Sequence, residues 1–339
     1  MKKIYLYPIS SRNKNSGLYN PYVDDFTDSI GKYYQVINKS RPSNKGIIDL
    51  MKYLFKIDFL FLNWIENVPE RKGGRLQTLF FHSIMPLLRL FGIKVIWTMH
   101  NKLSHSSNHI NLKKSIFNKL LKKSDCILTH SSEGVIYGES VLNKKNLPIH
   151  FFHHPVKDRR GNSANVCKWD ILIWGTLSPY KGILEFLKLL HDKKIENKYK
   201  ILITGKAISK DYYKALLGFA NKNIIIEEAF IEPESLKLLI SQSKIVLFTY
   251  AKSSILSSGA LMDSIGFGAN VVGPEVGAFS DLASENIISV YKSQDDIIAI
   301  IDKLLQQIEK NPIKNLDVFL QENSWDNYAG KVHAILQKM

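Results

Sequence analysis

Apolar and polar residues along the first half of the chain alternate between short apolar runs and longer runs with helical spacing. Residues 3–8 form an apolar run typical of a buried strand, and apolar residues then recur three or four positions apart over 21–33, as in an amphipathic helix. The further predicted strands lie at 34–37, 57–64, 93–99 and 126–129, and the further helices at 74–91, at 112–123 and after Ser131. Strands alternating with helices predict a parallel sheet covered by helices on both faces.

The same alternation restarts at residue 170, after a polar stretch that contains Gly, Ser and Asn. The predicted strands of this half are 170–174, 200–204, 223–227, 245–249 and 271–272. Its predicted helices lie near 180–191, 209–221, 232–242 and 295–309, with a further short helix between Gly259 and Gly268. We therefore expect two doubly wound α/β domains, over 1–157 and 169–320, with 158–168 as the linker. Ligands of such open sheets bind beyond the carboxyl ends of the strands, so we expect the two domains to face each other across a cleft.

Length and composition are those of a soluble globular protein. The 339 residues suffice for two domains, 45% are apolar and 23% are charged, and Cys126 and Cys167 stand alone without a CxxC motif. The most apolar long run, residues 76–97, is interrupted by His82, Arg89 and Lys94 and is too polar to cross a bilayer. With no signal-peptide pattern at the N-terminus, these features predict a cytoplasmic protein.

The formal charge of +15 would attract an anionic partner: nucleic acid, an anionic membrane face or an anionic small molecule. Much of it lies in the first half, on the helix at 112–123 and around 71–94. A solvated basic face is the alternative interpretation of both stretches. Clustered Arg with exposed aromatic residues, typical of nucleic-acid binding, is not found, so we expect no nucleic-acid partner.

One stretch in the second half has the pattern of an anion site. Ser257, Ser258 and Gly259 precede a short helix, where unpaired backbone N–H groups and the helix dipole favour a phosphate. One turn further on, Asp263 is a carboxylate suited to a sugar diol, and Gly268 is predicted to end the helix in a left-handed conformation. An ordinary N-cap is the alternative interpretation of the serines.

Several pieces, in this order, resemble the GT-B glycosyltransferases, particularly family 4-like enzymes of bacterial polysaccharide assembly. These pieces are Asn20-Pro21-Tyr22, Thr98-Met99-His100-Asn101, Ser124–Ser131, Trp174–Gly182, Asp263–Gly268 with Val271-Val272, and Ser324-Trp325-Asp326. The resemblance covers most of the chain but is loose over 35–75. It implies an N-terminal acceptor domain, a C-terminal nucleotide-sugar domain, and a last helix, 321–339, that packs back on the first domain.

The resemblance also implies roles for single residues. The donor-binding set is Gly175, Lys181, Tyr250, Ser257, Ser258, Gly259, Ala260 and Asp263, and the acceptor-side set is Asn20, Tyr22 and Asn101. His100 is the candidate catalytic residue, at a strand end beside the reacting sugar, where an imidazole titrating near neutrality could bind the donor sugar or act on the acceptor hydroxyl. If the reaction inverts the anomeric centre, a carboxylate base is expected, for which Asp24, Asp25 and Glu66 are candidates.

The chain departs from the family pattern at three positions. Family 4 members often carry an acidic residue where this sequence has Ile255, an Arg where it has Thr176, and a Glu where it has Asp263. Only Lys181 remains of the usual basic pair, with Lys206 as a substitute. These departures bear on the donor sugar and on the stereochemical outcome, whereas the residues expected to bind the nucleotide are present.

The predicted function is transfer of a hexose from a nucleotide-diphosphate sugar to a saccharide, expected to be lipid-linked, at the inner face of the cytoplasmic membrane. No cofactor is expected, and no metal, because Lys181 and the helix N-terminus would neutralise the leaving diphosphate and no Asp-x-Asp pair or His/Cys cluster suggests ligands. Two alternatives remain: a nucleotide-sugar epimerase on the same fold, and a non-catalytic basic protein that binds nucleotide or nucleic acid.

Overall fold

The computed structural model describes residues 1–9, 20–39, 41, 45–102, 108–161, 166–250, 256–307, 313 and 315–339. Internal contacts divide the chain into two compact units: Met1–Pro155 together with Trp325–Met339, and Val156–Ser324. Among the described residues, no helix is both long enough and apolar enough to span a membrane.

The first unit is built on a parallel sheet whose strands are joined by helices. Its elements are β1 (Lys3–Tyr7), α1 (Pro21–Ile30), β2 (Gln35–Val36), β3 (Phe59–Asn63), α2 (Gly74–Leu90), β4 (Lys94–Met99), α3 (Ile110–Lys123), β5 (Cys126–Thr129), α4 (Ser132–Leu142) and β6 (Ile149–Phe151). The order across the sheet is β2-β1-β3-β4-β5-β6, with every pairing parallel. Between β2 and α2 the chain forms 3-10 turns over Gly46–Lys52, Leu54–Lys56 and Ile65–Glu70.

The second unit repeats this plan. Its elements are β7 (Trp169–Trp174), α5 (Ile183–Asp192), β8 (Ile201–Thr204), α6 (Lys210–Leu217), β9 (Ile224–Glu227), α7 (Pro233–Ser241), β10 (Ser243–Leu247), α8 (Gly259–Gly266), β11 (Val271–Pro274), α9 (Gly277–Ser284), β12 (Ser289–Tyr291), α10 (Gln294–Gln307) and α11 (Leu316–Glu322). The parallel strands follow the order β12-β11-β10-β7-β8-β9.

Burial explains why the central residues of β7 are apolar in succession. Leu172 belongs to the apolar core on one face of the sheet, whereas its neighbours Ile171 and Ile173 belong to the core on the other face. Both faces of the strand are therefore covered along these three residues, whereas Asp170 lies near the start of the strand.

The last helix, α12 (Trp325–Leu336), belongs to the first unit. Its buried Trp325, Tyr328 and Val332 join the core that α1 and β1 also line. The chain thus passes from the first unit to the second after Pro155 and returns after Ser324, where Val156 and Ser324 pair in a short parallel bridge.

Candidate functional site

The sheet of the second unit has its topological switch point between β7 and β10. These strands pair directly, although β8 and β9 come between them in the chain and lie on the other side of β7. Loops that follow neighbouring strands on either side of such a point run in opposite directions and leave a crevice for a ligand. The predicted donor-binding residues follow these two strands, in the loop after β7 and in the segment from β10 to α8.

Lys181 lies at the end of the loop after β7 and is buried, with 4% of its surface exposed. Its ammonium donates a hydrogen bond to the carbonyl oxygen of Trp174 at 3.3 Å and lies 5.6 Å from the ring centroid of Tyr250, within range of a cation–π interaction. Burial lowers the pKa of Lys181 to about 8. The sequence did not show this burial, and it makes Lys181 a cation that an incoming anion would stabilise.

Two glycines give this lysine its place. Gly175 has φ +96°, and a Cβ there would lie 2.8 Å from Lys181 Nζ. Gly182, with φ +66°, passes so close to Thr249 that a Cβ would stand 2.2 Å from the Thr249 carbonyl oxygen. Only glycine adopts such angles and fits such contacts without strain, so the loop is shaped around the ammonium group.

The start of α8 lies beside Tyr250. Ser258 is the N-cap and accepts a hydrogen bond from the Leu261 amide at 3.3 Å, and its hydroxyl is also 3.3 Å from the Tyr250 hydroxyl. Among the described residues, nothing lies within 4 Å of the point that a Cβ on Gly259 would occupy, and the buried Ser257 hydroxyl oxygen has no hydrogen-bond partner. Backbone amides at a helix N-terminus are the kind of group that binds an anion, and Gly259 adds no side chain beside its own.

Asp263 lies one turn further along α8. Its carboxylate pairs with Arg159, Nη1 to Oδ1 at 2.7 Å, and 44% of its side chain remains exposed. Burial raises the pKa of Asp263 and Arg159 opposes that rise. The guanidinium of Arg159 also lies over the Phe267 ring, and its backbone amide donates to the Gly266 carbonyl. Asp263 is thus a held, partly exposed carboxylate about 7.5 Å along the helix axis from Ser258.

Contacts therefore connect most of the predicted donor-binding set. The ammonium of Lys181 lies over the Tyr250 ring and next to the position that a Cβ on Gly175 would take, and the Tyr250 hydroxyl lies 3.3 Å from that of Ser258. The other named residues belong to α8 or precede it directly. The indole of Trp174 donates to Ser264 at 2.9 Å and joins β7 to the same helix. Ile255, one of the departures from the family pattern, lies outside the described residues.

In the first unit, His100 follows β4 and is buried between Trp64 and Asn63. Its ring stacks on Trp64, with centroids 4.0 Å apart and planes 12° from parallel, and Nε2 lies 3.0 Å from Oδ1 of Asn63. Because that amide oxygen is an acceptor, Nε2 carries the proton and Nδ1 is the acceptor nitrogen. Trp64 holds a left-handed backbone with φ 46°, a costly conformation for a bulky residue that is typical of functional sites.

His100 belongs to a cluster of imidazoles around Tyr22. The Tyr22 hydroxyl donates to Nε2 of His130 at 2.9 Å, since Nδ1 of His130 donates to the Phe152 carbonyl. The ring centroids of His100 and His130 are 5.5 Å apart, and those of His130 and His154 are 5.0 Å apart. Burial, with the neighbouring imidazoles, holds the pKa values of His100 and His130 well below the usual range. The expectation that His100 titrates near neutrality was wrong: burial keeps it uncharged at pH 7.

The other residues predicted for the acceptor side lie close by. Asn20 is the N-cap of α1 and accepts from the Tyr22 amide at 3.1 Å. Tyr22 is buried and meets the His100 ring edge to face, with ring centroids 4.9 Å apart. Asn101 follows His100 and is half-buried.

The candidate carboxylate bases have different surroundings. Asp24 and Asp25 lie half-buried near the start of α1. Glu66 is buried, and burial raises its pKa to about 7. Within the described ranges, no group of three or more His, Cys, Asp or Glu residues is placed to hold a metal ion.

Solved structures share this architecture over the whole chain. The Anabaena protein HepE, solved with UDP, is 12% identical, with a TM-score of 0.71 and 100% of both chains covered. Sucrose-phosphate synthase from Thermosynechococcus elongatus is 12% identical, with a TM-score of 0.73, covering 100% of this chain and 99% of its own. A glycosyltransferase from Rickettsia africae is 13% identical, with a TM-score of 0.64, covering 99% and 98%. The chain has the GT-B fold.

At these identities, the likeness shows the GT-B fold and not the reaction. HepE has also been solved with UDP and glucose, and with UDP-glucose. No family model and no curated protein matches the chain.

Within each unit, the fold places next to the predicted site residues several others that the sequence did not single out. Arg159 lies in the polar stretch taken as the linker, and Asn63, Trp64 and His130 stand just after the strands β3 and β5 or at their ends. For Asn63, Trp64 and His130, position at the end of a strand could have indicated a site, because ligands of parallel sheets bind beyond the carboxyl ends of the strands. Arg159 had no such signal: its partner Asp263 is 104 positions away.

Proposed function

We propose that this chain is a metal-independent glycosyltransferase that moves a hexose from a nucleotide-diphosphate sugar to a lipid-linked saccharide in surface polysaccharide assembly. The observation that carries the proposal is the line of contacts from Lys181 through Tyr250 to Ser258, at the switch point of the second sheet. A buried cation and an open helix N-terminus are the groups that a diphosphate needs when no metal neutralises it.

The second unit would bind the donor. The diphosphate would accept hydrogen bonds from the amides of Gly259 and Ala260 and from the Ser257 and Ser258 hydroxyls, with Lys181 as its counter-ion. Asp263 would accept hydrogen bonds from the ribose diol, with Arg159 holding the carboxylate in place. Because HepE binds UDP and UDP-glucose, UDP-sugars are the first donors to test.

In the reaction, the bond between the anomeric carbon and the diphosphate oxygen breaks, and its electron pair stays on the diphosphate. The acceptor hydroxyl forms the new bond to that carbon and loses its proton. Charge thus grows on the leaving group, where Lys181 and the start of α8 would stabilise it more strongly than in the ground state. His100, uncharged and presenting Nδ1 as an acceptor, would bind a hydroxyl of the donor sugar or of the acceptor.

The net positive charge of the chain supports the proposed acceptor and the proposed place of action. A lipid-linked saccharide lies at a membrane surface, and the net charge of +15 favours an anionic one. We propose that the protein works at the inner face of the cytoplasmic membrane.

Nucleotide binding tests the proposal directly. Thermal unfolding with UDP, GDP, ADP and dTDP, each in excess chelator, is expected to show stabilisation by at least one of them, followed by a dissociation constant from calorimetry. Asp263→Ala should weaken that nucleotide by about 1–3 kcal/mol, because a charged acceptor is lost from the ribose.

Asp211→Ala, which removes an exposed carboxylate from α6 of the same unit, is the matched control and should leave the affinity unchanged. Stabilisation by none of the four nucleotides would overturn the proposal. Sugar epimerisation without an acceptor would instead support an epimerase.

A further inference from the structure

Helix α2 in the first unit carries leucines on its outward face. Leu76, Leu79 and Leu90 are 62%, 65% and 77% exposed, and Leu87 is exposed as well. At 3.6 residues per turn, the four lie within an arc of about 80° and along about 21 Å of helix axis. Beyond the end of the helix, exposed Phe91 packs edge-on against exposed Phe55, with centroids 4.9 Å apart. We call these six residues the α2 surface.

This apolar strip is too continuous to be an ordinary helix exterior. The opposite side of α2, with Phe81, Ile84, Met85 and Leu88, is buried in the unit. A helix that is apolar on both sides has a second face that seeks an apolar environment.

The charge around the α2 surface has one sign. Residues 71–124 contain eleven Lys or Arg and no Asp or Glu. Arg75 and Arg89 lie along one flank of the leucines, on the side where His82 bonds Ser115 of α3 at 3.1 Å. Burial lowers the pKa of His82, and the nearby positive charge of Lys119 on α3 lowers it further. On that same flank lies a groove of about 710 Å³, lined in part by Arg75, Leu79 and His82.

We propose that the α2 surface docks on an anionic lipid bilayer, with its leucines among the acyl chains and Arg75, Arg89 and Lys119 at the headgroup phosphates. The combination decides the occupant. Basic side chains alone would suit the phosphates of a nucleic acid as well as those of a membrane. Exposed leucines, however, match an acyl layer, and the basic side chains beside them match anionic headgroups. The inference rests on the proposed function, because it assigns the membrane partner of that enzyme to one face.

Vesicle flotation of the full-length chain tests the assignment. The protein is expected to float with vesicles of phosphatidylcholine mixed with phosphatidylglycerol, and not with phosphatidylcholine alone. The double variant Leu79→Glu/Leu90→Glu should reduce partitioning about tenfold or more, since two side chains that enter the acyl layer are lost. Arg75→Glu and Arg89→Glu should each reduce it about fivefold, and added salt should weaken binding of the wild type.

Matched controls use exposed positions elsewhere. Ile136→Glu/Leu238→Glu repeats the apolar change on α4 and α7, and Lys214→Glu/Lys222→Glu repeats the charge change in the second unit. Both should float like the wild type. All of these positions are exposed, so the variants should fold, which their thermal unfolding checks.

Three outcomes would overturn the proposal. One is a failure of the wild type to float at low salt, and another is equal loss in the controls. The third is leucine-dependent self-association or oligonucleotide binding without flotation, which would assign the α2 surface to a second copy or to nucleic acid. Nucleotide affinity, measured on the same variants, separates this result from the proposed function: UDP-type binding without flotation removes only the docking, and flotation without nucleotide binding removes only the enzyme.

Discussion

The two candidate sites stand on similar sheets but differ in how their polar groups are charged. In the second unit the groups are ionic: a buried ammonium at Lys181 and a carboxylate at Asp263 held by Arg159. In the first unit they are neutral imidazoles packed among aromatic rings, at His100, His130 and His154. The difference teaches that the carboxyl ends of two similar sheets can carry charged or uncharged polar groups, depending on which side chains the loops bring there.

The largest expected effect separates the tasks of the two units. If His100 binds the reacting sugar as proposed, His100→Ala should lower kcat for transfer by about 10²- to 10⁴-fold and should leave nucleotide affinity at the second unit unchanged. Steady-state kinetics and calorimetry on one preparation measure both. A parallel fall in nucleotide affinity would break the separation.

Acid should affect the histidine cluster next. The pKa values of His100 and His130 are lowered in the folded protein, so the unfolded chain binds more protons below about pH 6.5. The free energy of unfolding should therefore fall as pH drops below that value, by up to about 1.4 kcal/mol per pH unit for each histidine. Urea unfolding from pH 7.5 to 5 measures this slope.

His130→Gln should make that slope shallower, and His109→Asn, at an exposed histidine of the first unit, should leave it unchanged. Equal slopes in all three proteins would show that the cluster is not the acid-sensitive element.

Removal of the Lys181 cation should raise stability but weaken nucleotide binding. With its pKa lowered from 10.5 to about 8, burying the cation costs stability below pH 8, and that cost is released between pH 8 and 10.5. Lys181→Met should therefore stabilise the ligand-free protein at pH 7 by about 1–3 kcal/mol and weaken the nucleotide about 10- to 100-fold.

Chemical denaturation and calorimetry at pH 7 and pH 10 check both effects. Most of the stability gain should be lost at the higher pH, where the wild-type lysine is neutral in the folded protein. A variant that is less stable at pH 7 would contradict the assignment of a strained, buried cation.

The smallest effect compares two helix caps of the same kind. Asn20 caps α1 in the first unit and Ser258 caps α8 in the second, each through its side-chain oxygen. Asn20→Ala and Ser258→Ala should each cost about 1 kcal/mol of stability, but only Ser258→Ala should also weaken nucleotide binding. If both or neither changed nucleotide affinity, the cap of α8 would have no special part in the anion site.

Local patterns predicted the regular elements well, because they depend on nearby residues. The apolar run ending at Trp174 is β7, Ser258 is an N-cap of α8 as the alternative interpretation of the serines had it, and Gly268 takes the left-handed conformation with φ 81°. The 3-10 turns between residues 46 and 70 have no apolar period of their own and were not predicted.

The surroundings of the site residues depend on contacts between distant parts of the chain. The burial of Lys181 follows from Tyr250 lying above it and from a loop that two glycines fold around it. The pairing of Arg159 with Asp263 and the gathering of three histidines around Tyr22 depend on how loops meet in space. A sequence reports residue type and order, but not which loop carries a partner to another.

The return of the chain to the first unit has a consequence for biosynthesis. Trp325 and Tyr328, which complete the aromatic core around Tyr22, are translated after the whole of the second unit. The second unit runs without interruption from Val156 to Ser324. Its whole chain is therefore synthesised before α12, which completes the core of the first unit. The half that is translated first is therefore the half that finishes folding last, and a chain released before α12 would expose the rings that this helix covers.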